Sequence, residues 1–201
     1  MRHLARVSLL FSLVVLLAAP LFAAKKEYFT EDELDLIRDA QELSERVPTY
    51  FKLAERRLIF LGIMEKSEQE KEKERKEREK REKEQKKGAD TRATANKAPV
   101  EDTAYLDNFT PPELLHGYIQ ALDEVMTNID DAYSRKLDVR DSLEDLAKFV
   151  RETAPLLEKF KPRNAGERAA LQEAIDKGKQ AGADAKEALS VVPKTEKKRK
   201  P

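Results

Sequence analysis

Glu113 and His116 stand three residues apart, the Glu-x-x-His arrangement by which helical di-iron centres hold metal, because residues at that spacing share one face of a helix. Such a centre takes the motif from two helices and adds two further glutamates. The chain has only 2 histidines, and the other, His3, falls in a segment that reads as an export signal. One copy of the motif is not a site, so Glu113 reads as a capping residue and His116 as an ordinary, partly exposed histidine. Haem is served no better. There is no cysteine for attachment, and only Met64 and Met126 could join His116 as axial ligands. A Ser-His-Asp triad would need the same His116, and neither a Gly-x-Ser-x-Gly elbow nor a glycine-rich phosphate loop occurs. Carboxylate pairs are abundant, but packed helices are expected to offer no cleft holding two of them at a glycosidase's spacing. No catalytic, cofactor-binding or metal-binding residue is therefore expected, and the chain reads as non-enzymatic.

The elements that would position any site must be helical. Charged residues make up 39% of the 201-residue chain and aromatics 6%, without tryptophan, a composition of long solvated helices. Lys+Arg and Asp+Glu stand at 39 each, so no overall field draws the chain onto nucleic acid or a membrane surface. Without cysteine, disulfides and lipidation at a lipobox are excluded, and stability rests on helix packing.

Arg2 and Arg6 precede an uncharged run from Val7 to Ala24, after which Lys25 and Lys26 restore charge. This order is that of a secretory signal, predicting residues 1–24 to be removed and the mature chain to act in the periplasm or outside the cell. The run is also just long enough to span a bilayer, so the alternative is retention as a membrane anchor.

Two helix starts are complete. In Tyr28-Phe29-Thr30-Glu31-Asp32-Glu33-Leu34, Thr30 is the N-cap and Glu33 reaches back to close a capping box. In Asn108-Phe109-Thr110-Pro111-Pro112-Glu113-Leu114 the device recurs, with Pro111 at the first helical position. Asn164 and Glu167 make a weaker third start. After the first, Leu36, Ala40, Leu43, Val47, Tyr50, Ala54 and Leu61 keep a helical phase that only Arg57 interrupts. The phase continues through Pro48 and predicts one helix over 25–64, kinked at that proline. After the second, Leu115, Tyr118, Leu122, Val125, Ile129 and Ala132 lead through Lys136 to Val139, Leu143, Leu146, Val150, Thr153, Leu157 and Phe160. Periodicity does not separate one long helix from a hairpin here. The charge at Lys136 and a possible cap at Asp138 favour a turn. A last helix over 165–191 has a small centre at Gly178 and Gly182. The resulting segments, each about 36–50 Å long if helical, predict an all-α antiparallel bundle of about four helices with coiled-coil-like seams, its later members within 110–193.

Residues 65–87 hold nine Glu and eleven Lys or Arg and no apolar face. Glu-first i,i+4 pairs such as Glu72 with Lys76 can sustain a solvated helix, so this stretch reads as a protruding charged arm that is too balanced to bind nucleic acid. Residues 88–109 read as a flexible linker and 194–201 as a basic tail. The expected function is that of an exported interaction, scaffold or chaperone-like protein working with proteins of the cell envelope, with self-association possible. The alternative is a membrane-surface binder acting through the tail.

Overall fold

The Thr30 start folds as its local chemistry dictates: Glu33 N–H donates to Thr30 Oγ1 at 3.3 Å, and Thr30 N–H to Glu33 Oε2 at 3.0 Å. These bonds open α1 (Glu31–Asp39) in a computed structural model that describes residues 27–66, 71–72, 75–76, 79 and 104–193. There follow α2 (Leu43–Phe60), a 3-10 turn (Ala104–Asn108), α3 (Pro111–Ser134), α4 (Arg140–Lys159) and α5 (Ala165–Val191). The chain is all-helical over the described residues, and none of these helices is long and apolar enough to cross a membrane. Residues 1–24, read as a signal, residues 88–103, read as linker, and the tail at 194–201 lie outside the described residues, as does most of the stretch read as a charged arm. Within the arm, residues 71–72, 75–76 and 79 are helical, and Lys76 Nζ stands 2.9 Å from Glu72 Oε1 at the expected spacing.

The other two starts also form. Thr110 N–H and Oγ1 both donate to Glu113 Oε2 at 2.8 Å, and Pro111 is the first residue of α3. At α5, Asn164 Oδ1 accepts from Glu167 N–H at 2.9 Å, while the Glu167 carboxylate reaches back to Arg163 N–H at 2.6 Å. The reversal expected near Lys136 is present as well. Leu137 N–H donates to Ala132 O and Lys136 N–H to Tyr133 O, with Lys136 in the left-handed region at φ 62°. That is a Schellman ending with lysine where glycine is usual. Asp138 Oδ1 then accepts from Arg140 N–H at 3.1 Å, starting α4.

Two expectations are corrected. The first is the continuous helix kinked at Pro48: the chain leaves helical geometry at Ala40, whose ψ is 90°, and resumes after Glu42, so Pro48 lies inside α2 and the break precedes it. The cause is tertiary. Twenty-four residues of unbroken helix would hold Glu33 and Arg57 about 36 Å apart, whereas their side chains meet at 2.7 Å and both are buried. α1 must fold back on α2, and Arg46 Nε holds the corner by donating to Ala40 O at 2.8 Å. The apolar phase could not reveal this, because Ala40, Leu43 and Val47 keep helical spacing across the break. The second correction concerns 104–109, read as the end of a flexible linker. These residues form the 3-10 turn and Phe109, with Leu106 fully buried.

The core lies among α2, α3, α4 and α5, with Leu53, Leu58, Leu115, Tyr118, Leu122, Leu146 and Leu157 each at most 1% exposed. α2 and α3 run in opposite directions, Arg46 meeting Asn128 at one end and Arg57 meeting Gly117 at the other. α4 and α5 are also opposed, with Lys179 Nζ 3.0 Å from Glu158 Oε1 and Arg140 Nη1 donating to Val192 O at 2.9 Å. α3 and α5 run the same way: His116 pairs with Glu173, Asp123 with Lys177, and Ile129 and Tyr133 share a surface with Ala185 and Val191. Phe149 of α4 bridges to α2, stacking on Phe51 at 4.4 Å between centroids.

Candidate functional site: a buried charged junction and an apolar groove

Arg57, the charge that interrupts the first seam, is 1% exposed and makes four donor contacts. Nη1 donates to Glu33 Oε1 and Leu53 O, both at 2.8 Å. Nη2 donates to Glu33 Oε2 and Tyr28 O, both at 2.7 Å. Glu33, 0% exposed, accepts in addition from Tyr105 Oη at 2.7 Å and from Thr30 N–H. Four donors match the four lone-pair positions of a carboxylate, which is the condition under which a buried ion pair is tolerated. Phe29 covers the guanidinium, with its ring centroid 5.0 Å from Cζ. Burial, and then the charge of Glu33, push the Tyr105 hydroxyl well above its usual range, so it remains a donor.

Gly117 makes room for this junction. A Cβ there would stand 2.8 Å from Arg57 Cδ and closer still to Nε. The N-terminal segment is tied to α3 through the same region: Gln120 Oε1 accepts from Tyr28 N–H at 3.1 Å, Gln120 Nε2 donates to Glu27 Oε1 at 2.7 Å, and the Tyr28 ring stacks on His116 at 5.4 Å. The junction thus joins the segment before α1, α1 itself, α2, the 3-10 turn and α3. Because its charges are enclosed and mutually satisfied, its work is positional.

His116 and Glu113 are not brought together on a common centre. His116 Nε2 lies 3.1 Å from Glu173 Oε2, and Glu113 serves the α3 cap. No three histidine or carboxylate side chains among the described residues converge as metal ligands. Gly178 faces the Tyr118 hydroxyl, and Gly182 lies against Val150, where an added Cβ would be 3.1 Å from Cγ1. The small centre of α5 therefore admits two large neighbours. Tyr118 in turn shares a hydrogen bond with Thr153 Oγ1 at 3.1 Å.

The open feature lies at the other end of the helices. Met126, Ile129, Asp130 and Tyr133 form one stripe of α3, and Asp184, Ala185, Ala188 and Val191 form a stripe of α5; between them Val139, Leu143 and Leu146 make a floor. They enclose an apolar groove of about 220 Å³. The groove exists because α5 narrows to Ala185 and Ala188 where α3 presents larger residues. Tyr133, Leu137 and Val191, exposed by 58%, 55% and 70%, cluster at this end. An apolar concavity therefore opens at the same end as these exposed large apolar side chains.

Sequence reasoning marked Arg57 as an anomaly and Glu33 as a cap, and did not connect them. Gly117, Tyr105 and the groove were missed. A glycine inside an otherwise strong helix was the available signal for a close approach at Gly117; nothing local announced the groove. No protein-family model, curated protein or solved structure matches this chain.

Proposed function

We propose that this chain is an exported, non-enzymatic interaction protein, scaffold or chaperone-like, whose α2 to α5 act as a bundle of four helices, antiparallel along the chain with α3 and α5 side by side in one direction, presenting the α3–α5 groove to a polypeptide of the cell envelope. The observation that carries this function is the groove itself: an apolar concavity lined at its edges by Tyr133 and Val191, side chains that the core leaves exposed, with exposed Leu137 next to Tyr133 beyond it. Its volume supports a polypeptide as occupant. About 220 Å³ is below the roughly 300–1,000 Å³ of a typical small-molecule pocket and suits one or two large side chains of a docked segment. Export is supported by Arg2, Arg6 and the uncharged run to Ala24.

The test is suppression of aggregation of a chemically denatured client protein by the mature chain, compared with Ala188→Trp, which fills the groove from its partly buried wall. Suppression by the wild type that falls several-fold in the variant, with helical content unchanged, is the expected result. Equal suppression by both would refute the groove as the binding surface. In parallel, residues 1–30 fused to a reporter active only outside the cytoplasm should give activity; a silent fusion refutes export. A membrane-surface role for the tail, whose last eight residues carry five basic groups and one acid, would instead show as binding to anionic vesicles that fades as salt rises.

A further inference from the structure

The groove's rim specifies more than an apolar partner. We infer that it selects a basic amphipathic segment, one that lays an apolar face on the floor and places Lys or Arg side chains against Asp130 and Asp184. This rests on the groove being the docking surface proposed above.

Asp130 stands on the α3 wall and Asp184 on the α5 wall, so a segment lying between the helices passes a carboxylate on each side. Both are exposed, and neither takes a hydrogen bond or an ion pair among the described residues. The neighbouring cations are engaged elsewhere: Arg140 Nε lies 3.0 Å from Glu144 Oε1 and its Nη1 is on Val192 O, while Arg135 pairs with Asp131 at 3.5 Å. Lys136 is not in the groove lining and lies beyond it, beside Leu137 and Asp138. Among the described residues the groove therefore has apolar walls and two negative charges without a paired cation. A neutral apolar segment gains only the apolar contact. An acidic one meets like charge, and a basic one gains two charge contacts at the rim, where each carboxylate keeps its water until the cation arrives.

The geometry also explains why the selectivity is charge-based. Met126 on the α3 wall has a flexible, unbranched side chain that fits partners of different shape, so apolar contact alone discriminates poorly. Selection then falls to the two rim charges. Exposed ion pairs are worth about 0.2–1 kcal/mol each, so each aspartate contributes up to about fivefold in affinity at low salt, and both together on the order of tenfold.

The experiment uses three synthetic amphipathic helical peptides with the same leucine face and polar faces of Lys, Gln or Glu, titrated into the mature chain by fluorescence anisotropy. The Lys peptide should bind roughly tenfold tighter than the Gln peptide, with the Glu peptide weakest. In Asp130→Asn/Asp184→Asn the Lys and Gln peptides should converge, as they should at high salt in the wild type. These substitutions are on exposed positions and preserve shape, and circular dichroism should show unchanged helicity. If Lys and Gln peptides bind alike and the double variant changes nothing, while Ala188→Trp weakens both, charge selection is wrong and the apolar groove stands. If Ala188→Trp weakens none of them, the groove is not the docking surface and the proposed function fails with the inference. Preference for the Lys peptide that survives the double variant places the charge contact elsewhere and also overturns the inference.

Discussion

Replacing Arg57 with methionine keeps a long apolar stem, removes the guanidinium, and leaves Glu33 as an unpaired carboxylate at 0% exposure, still held by Tyr105 and Thr30. Removing one member of a buried ion pair costs about 3–5 kcal/mol, because the remaining charge loses its partner without regaining water. Against a total stability of about 5–15 kcal/mol this is a large fraction. In urea, at a slope of about 2 kcal/mol per molar, the midpoint should fall by roughly 2 M. Glu33→Gln should also destabilise, and the double variant should lose clearly less than the two single losses added, since neither charge is then stranded. An internal comparison comes from Arg38 and Asp35, which meet at the same 2.7 Å as Arg57 and Glu33 but are 63% and 42% exposed. Arg38→Ala should cost under about 1 kcal/mol. The assay is equilibrium urea unfolding followed by far-ultraviolet circular dichroism, with amide exchange reporting on α1. In Arg57→Met, α1 should exchange faster than α3, because the pair is what folds it back onto α2. A loss below about 1 kcal/mol, or a double variant that is strictly additive, would show that the pair does not hold this corner.

Three glycines should respond differently to alanine, read by thermal unfolding. Gly117→Ala should lower the melting temperature sharply by displacing Arg57; Gly178→Ala should raise stability by up to about 1 kcal/mol, since its Cβ would meet Tyr118 at an ordinary 3.5 Å; Gly182→Ala should gain less because of the 3.1 Å approach to Val150. A common response at all three would refute the close-contact assignments. Alkaline pH supplies another check. Burial pushes the Tyr118 hydroxyl from 10.0 up to about 12, so the folded state favours the neutral phenol; its contribution is intact below pH 10 and is lost as pH rises from 10 to 12. The decline should run at about 1.4 kcal/mol per pH unit for this group, and Tyr118→Phe should flatten it by that amount; an unchanged slope counts against a buried, neutral Tyr118.

What the sequence determined by itself is what depends on residues close along the chain. A capping box spans four residues, so Thr30 with Glu33 and Thr110 with Glu113 could be read directly, and both starts are where helices begin. A helical stripe needs only its own periodicity, so Val47, Tyr50, Ala54, Leu115, Tyr118, Leu122 and Leu146 were legible as buried. The turn near Lys136 was legible because a charge fell on the seam. Periodicity says that a face is covered and not by what, and there the tertiary structure decided. Arg57 could be read as a flaw in a stripe, but a buried guanidinium is tolerable only if a carboxylate reaches it, and Glu33 is 24 residues away along the chain. Meeting that need breaks the expected first helix at Ala40 and recruits Tyr105 from a stretch that reads as linker. The groove is decided in the same way. Asp130 and Asp184 share it only because α3 and α5 lie side by side in the same direction, with alanines of one facing larger residues of the other, a pairing set by packing between distant segments.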